Sequence, residues 1–175
     1  MADILPEKWM KGVAITTTVL AVLTAIASSQ AAHAVAVAQI LTAKEGSQWA
    51  YYQAKSIKEN LADMQRGIFE VDFLGATTPE QKNLLEKNLG GAQATIARYK
   101  QEKDEIKKEA ENIGQDNAKI HRQGSQFNLS VVLFQIGIML SSVSALLKRK
   151  EMWMIGVIFG VIAAVFLANG FLLFF

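Results

Sequence analysis

Apolar residues gather at the two ends of the chain, and a highly charged stretch separates them. Residues 129–147 and 152–175 contain no acid or base, and only Lys148-Arg149-Lys150-Glu151 interrupts them. At 1.5 Å of rise per residue, each is long enough to cross a hydrocarbon layer of ~30 Å as a helix. A third apolar run, residues 13–27, lies near the start. The pattern predicts an all-α integral membrane protein with three transmembrane helices, the first separated from the other two by a long charged segment.

Within that segment the pattern changes period. From Leu85 through Leu89, Ala92, Ile96, Tyr99, Lys103, Ile106 and Ala110 to Ile120, positions recur at alternating spacings of four and three, a heptad seam. The earlier half shows the same alternation from Ile40 through Ala54, Ile57, Leu61, Met64 and Ile68 to Val71. Two long helices joined by a reversal are expected, with these two rows facing each other as an antiparallel coiled coil. The reversal belongs near residues 74–79. There Thr78 and Gln81 fit a reciprocal capping box, and Pro79 takes the first helical position. Gly90-Gly91 and the polar seam residues Lys103 and Asn117 are expected to weaken or bend the pair.

The domain plan is therefore residues 1–33 for the amino-terminal segment and first crossing, 34–127 for the helical hairpin, and 128–175 for a carboxyl-terminal membrane pair. The run after Lys8 and Lys11, ending in Ala32-His33-Ala34, has the outline of a secretory signal. The helical pattern continues past Ala34 without a turn signal, so an uncleaved helix is the simpler account.

Charge sets the expected topology. Residues 42–128 carry thirteen Lys/Arg and thirteen Asp/Glu, so the formal excess of +2 sits outside them, in the short loop 148–151. Short loops rich in Lys and Arg stay cytoplasmic, which places the amino terminus and that loop inside and the hairpin and Phe175 outside. Trp9 and Trp153 suit the interfacial aromatic belt at the cytoplasmic ends. The localisation expected is the inner membrane of a bacterium, with the hairpin periplasmic or extracellular.

With no cysteine there is no disulfide framework or thiolate site, and no basic stripe points to nucleic acid. No nucleophile and base pairing, phosphate loop or metal-spaced cluster occurs, so no catalytic residue and no cofactor are expected. His33 and His121 are the only histidines. Folding the arms about residues 76 and 77 sets them at similar height, a weak candidate pair for a metal or a pH switch.

The densest feature is Gln48-Trp49-Ala50-Tyr51-Tyr52-Gln53-Ala54-Lys55. Trp49, Tyr51 and Tyr52 cannot all face one seam, because successive helical positions are ~100° apart. Together with Lys55 they are candidate contacts, within the chain or with a neighbouring subunit. Gly156 and Gly160 form a GxxxG pair, and Gly137, Ser141 and Ala145 repeat the small spacing, so close membrane-helix contact is expected there too.

This first crossing, the run Ser28-Ser29-Gln30-Ala31 and the aromatic block resemble a widespread bacterial family catalogued only as a domain of unknown function. The resemblance covers nearly the whole chain and implies no activity.

The function expected is a non-enzymatic membrane scaffold that homo-oligomerises through its hairpin and small-residue membrane faces, its partners being membrane lipid and copies of itself. An accessory subunit bound to other membrane proteins would use the same surfaces. The alternative from another class is a passive oligomeric channel lined by Thr16, Thr17, Thr24, Ser28 and Gln30 of the first crossing; the plainer reading is that these side chains bond to their own or a neighbouring helix.

Overall fold

The computed structural model describes residues 8–174; the first seven residues and Phe175, which the topology argument places on opposite sides, lie outside it. Among the described residues the chain forms three helices: α1, Lys8–Gly75; α2, Pro79–Leu147; and α3, Lys150–Leu172. All three are long and apolar enough over part of their length to cross a membrane. The amino-terminal apolar run and the charged segment that follows it are one uninterrupted helix, and α2 likewise passes through Gly90-Gly91 without a break.

The reversal between α1 and α2 has the expected chemistry. The Gln81 N–H donates to Thr78 Oγ1 at 3.3 Å, and the Thr78 N–H donates to Gln81 Oε1 at 3.4 Å, a reciprocal capping box. Between α2 and α3 only Lys148 and Arg149 remain. Lys148 takes a left-handed conformation with φ 54°, and the Arg149 N–H donates back to Ser144 O at 3.1 Å, which closes the tight turn.

Two compact units divide the chain. One combines the described parts of Met1–Gln39 and Asn117–Phe175. Its core is small: Ala27, Phe134 and Ala163 are fully buried with Leu20 beside them, and Ser130, Ser141 and Ser144 are buried on α2. Glycines let the helices approach closely. A Cβ on Gly156 would stand 2.8 Å from the carbonyl oxygen of Gly137, and one on Gly160 would stand 2.6 Å from a methyl of Leu20. At the far end Phe127 fills the space over Gly170 and meets Phe171 edge to face at 5.0 Å. The buried Asn169 finishes α3, its Oδ1 accepting the Phe174 N–H at 2.8 Å.

The other unit, Ile40–Asp116, pairs the distal part of α1 with the proximal part of α2. As α1 advances from Glu45 to Lys55, its neighbour on α2 retreats from Gly114 to Glu102, so the two segments run antiparallel. On α2 the expected row is the inward one: Ala92, Ile106 and Ala110 are buried, and Leu85, Leu89, Ile96, Tyr99, Lys103 and Ile113 are half-buried.

On α1 the expected row faces the other way. Ile40, Ala43, Ser47, Ala50, Ala54, Ile57, Leu61, Met64, Ile68 and Val71 are all exposed. The inward row is instead Gln48, Tyr52, Lys55, Glu59, Ala62, Arg66, Phe69 and Phe73. It too alternates three and four, and it is the row whose Lys55 and Glu59 find Glu102 and Lys103 on α2.

Candidate interaction surfaces

Inside the Ile40–Asp116 unit, an aromatic and ionic cluster occupies the inward row. The Lys55 ammonium pairs with the Glu102 carboxylate, and 5.3–5.4 Å separates it from the ring centres of Tyr99 and Tyr51. One turn on, Lys103 Nζ lies 2.6 Å from Glu59 Oε2 and 5.2 Å from the Tyr52 ring centre. Trp49 meets Tyr52 edge to face at 5.8 Å. Each ammonium thus has a carboxylate and an aromatic face, which together replace part of the water it loses. The hydrogen bond to Glu102, set against partial desolvation, raises the Lys55 pKa above its ordinary value. The same bond lowers that of Glu102, and the bond to Glu59 raises that of Lys103.

Of the candidate contact residues, Trp49, Tyr52 and Lys55 therefore meet partners within the chain, and Tyr51 is half exposed while lying against Lys55. The sequence signal for Lys55 with Glu102 and Lys103 with Glu59 was a second row of α1, from Tyr52 to Phe73, whose mixed chemistry hid its heptad spacing. Gly156 and Gly160 are buried against Gly137, Ser141 and Leu20.

The threonine hydroxyls of the amino-terminal apolar run turn to their own helix. Thr17 Oγ1 donates to Val13 O at 2.8 Å, Thr24 Oγ1 to Leu20 O at 2.7 Å, and Thr16 Oγ1 to Gly12 O at 2.9 Å. Thr16 also accepts the Trp153 indole N–H at 3.0 Å, and that indole covers Gly12. Ser28 is exposed and Gln30 half-buried.

His121 borders a shallow groove with Ala34, Val35, Ala38 and Gly124, and His33 is exposed outside it. Among the described residues no three His, Asp or Glu side chains gather closely enough to hold a metal ion.

On the outward face of α1, Ile57, Leu61, Met64, Ile68 and Val71 are 58–69% exposed. Beside them lies a groove of about 370 Å³ lined by Met64, Gly67, Ile68, Val71 and Asp72.

This arrangement, three long helices with paired polar arms, accompanies a family match: residues 9–173 fit the model of a domain of unknown function, DUF4337. The chain belongs to that family. No curated protein and no solved structure matches it.

Proposed function

We propose that this chain is a non-enzymatic scaffold of a membrane, held by three crossings and assembled from several copies. The helical pair then works as a coiled-coil hairpin on one side of the bilayer. The observation that carries this reading is where the reactive side chains are spent. Lys55, Glu102, Lys103 and Glu59, with the aromatics around them, join one helix to another. Such pairs hold shape.

Membrane anchorage draws support from three helices of sufficient length and apolarity. It draws more from the surface of the apolar unit, where Ile15, Val19, Val22, Ile158, Val161 and Val165 are 51–66% exposed. Lipid chains would solvate such side chains at no cost in lost hydrogen bonds. The basic loop at 148–150 and Lys11 favour a cytoplasmic location for that end, in the inner membrane of a bacterium. The channel reading gains little, because Thr16, Thr17 and Thr24 already donate to backbone carbonyls of α1.

Mass measurement of the purified full-length protein in lipid nanodiscs tests the proposal. A single species of two or more 19.2 kDa copies with no other polypeptide is expected. A single copy contradicts self-assembly, and stoichiometric co-purification of another chain replaces the scaffold with an accessory subunit.

A further inference from the structure

Gly156 and Gly160 are spent on contacts within one chain, which turns attention to the charged unit for a surface through which copies meet. The outward face of α1 differs from the rest of the charged unit. Ile57, Leu61, Met64, Ile68 and Val71 alternate at four and three, and together they expose on the order of 500 Å² in one narrow row, at the upper end of what a soluble monomer leaves uncovered. At 100° per residue this row lies roughly 160° around α1 from Tyr52, Lys55, Ala62 and Phe69, so α2 cannot reach it.

We propose that this row is the seam by which two copies of the chain pair, parallel and in register. The inference rests on the scaffold reading, which supplies the second copy, and it names where the copies touch.

Three observations select a second copy as the occupant. The first is period. A lipid surface or a flat partner makes no demand for a 3.5-residue repeat, whereas the row keeps that repeat over ten positions from Ile40 to Val71.

The second is shape. In a parallel two-stranded coil the knob at position 68 enters a hole made by positions 64, 67, 68 and 71 of the facing helix. Met64, Gly67, Ile68 and Val71 line the groove already present on this surface. Gly67, around whose would-be Cβ there is open space, leaves that hole deep on one side. The receptor for Ile68 is thus built around Ile68 itself, which is the self-complementarity that a twofold interface demands.

The third is charge. The flanking positions are Gln53, Asn60 and Gly67 on one side and Lys58, Gln65 and Asp72 on the other. Parallel pairing sets each residue of the first set against the residue five further on in the partner: Gln53 with Lys58, Asn60 with Gln65, and Gly67 with Asp72. No like charges meet.

Size and tethering agree. Covering the row from both copies removes about 1,000 Å² from water, the lower bound for a specific interface. Copies in one bilayer, related by rotation about its normal, present equal residue numbers at equal height. Membrane anchorage also raises the effective concentration, so a modest seam suffices.

The chain has no cysteine, so single cysteines report cleanly. Full-length Met64→Cys, Ile68→Cys and Lys108→Cys proteins are reconstituted separately in phosphatidylcholine and phosphatidylglycerol vesicles and mildly oxidised. Disulfide-linked dimer is expected at least fivefold above the Lys108→Cys level at positions 64 and 68. Adding Leu61→Lys to Ile68→Cys is expected to remove that excess while helicity stays unchanged, because Leu61 is exposed in the single chain. Equal cross-linking at 68 and 108 in a protein that remains oligomeric in nanodiscs overturns the seam but leaves self-assembly standing. A single-copy mass overturns both. Linkage between Ile40→Cys of one copy and Val71→Cys of another, in place of like with like, overturns the parallel register.

Discussion

Lys55 of α1 and Glu102 of α2 form an ion pair flanked by the rings of Tyr99 and Tyr51, and this pair ties the two antiparallel helices together. Removing Glu102 leaves the half-buried Lys55 without its carboxylate, and removing Lys55 leaves Glu102 with the more exposed Arg98, 3.7 Å away. Lys55→Met and Glu102→Gln are each expected to lower the thermal midpoint of the full-length protein. The exchange Lys55→Glu with Glu102→Lys is expected to recover more than half of the loss, read by circular dichroism melts. Equal midpoints for the single variants and the native chain would count against the pair as a stabilising contact.

The same pair sets a pH window. The Glu102 carboxyl is held below its ordinary 4.5, so its contribution is complete above the unfolded value and disappears as pH falls through the lowered one. The Lys55 and Lys103 ammoniums are held above 10.5, so their contributions are complete below the unfolded value and disappear as pH rises through the raised ones. The melting midpoint is therefore expected to fall on acidification below about pH 4 and on alkalinisation beyond about pH 10.5. Because Glu102→Gln removes the titrating carboxyl, its midpoint should drop less between pH 7 and pH 3 than that of the native protein. An identical drop would assign the acid sensitivity to other groups.

Gly156 is expected to be less replaceable than Gly160. A Cβ there would press on the Gly137 backbone carbonyl at 2.8 Å, whereas one at Gly160 would meet the movable end of Leu20. Gly156→Val should cost about 1–3 kcal/mol through overpacking. Detergent-resistant folding, followed by thermal aggregation, should fall further for Gly156→Val than for Gly160→Ala. The reverse order would contradict the close approach of α2 and α3.

Thr24→Val should be nearly silent, within about 0.5 kcal/mol, because its hydroxyl is spent on the Leu20 carbonyl of its own helix. Combined with Gln30→Leu, it is expected to leave the electrical resistance of a planar bilayer holding the protein as it is with the native chain. A change in conductance between the two would revive the channel reading.

Much of the fold could be read from residue order alone. Charge-free spans mark the membrane-length segments, Thr78 to Gln81 marks the reversal, and the row from Leu85 to Ile120 marks the inward face of α2. The inward face of α1 was harder to read because two heptad rows compete on that helix. The more apolar one, through Ile57, Leu61 and Ile68, satisfies the usual rule for a buried seam. The one that α2 covers is richer in charge and aromatic rings, and its advantage is complementarity: Lys55 and Glu59 find Glu102 and Lys103 opposite. Such pairing depends on both arms at once, so the pattern of either arm by itself does not display it. The sequence left Trp49 and Tyr52 open as contacts within the chain or with a neighbour; in the structure Tyr52 lies under Lys103 of α2, and Trp49 packs edge to face on Tyr52 of its own helix.

Sidedness tests the central claim, a charged helical pair tethered by three crossings on one side of a bilayer. A membrane-impermeant maleimide applied to intact spheroplasts expressing single-cysteine variants should label Asn83→Cys, beside the α1–α2 reversal, and spare Lys150→Cys until the membrane is permeabilised. Labelling of Lys150→Cys with protection of Asn83→Cys would invert the topology, and equal labelling of both before permeabilisation would contradict membrane insertion altogether.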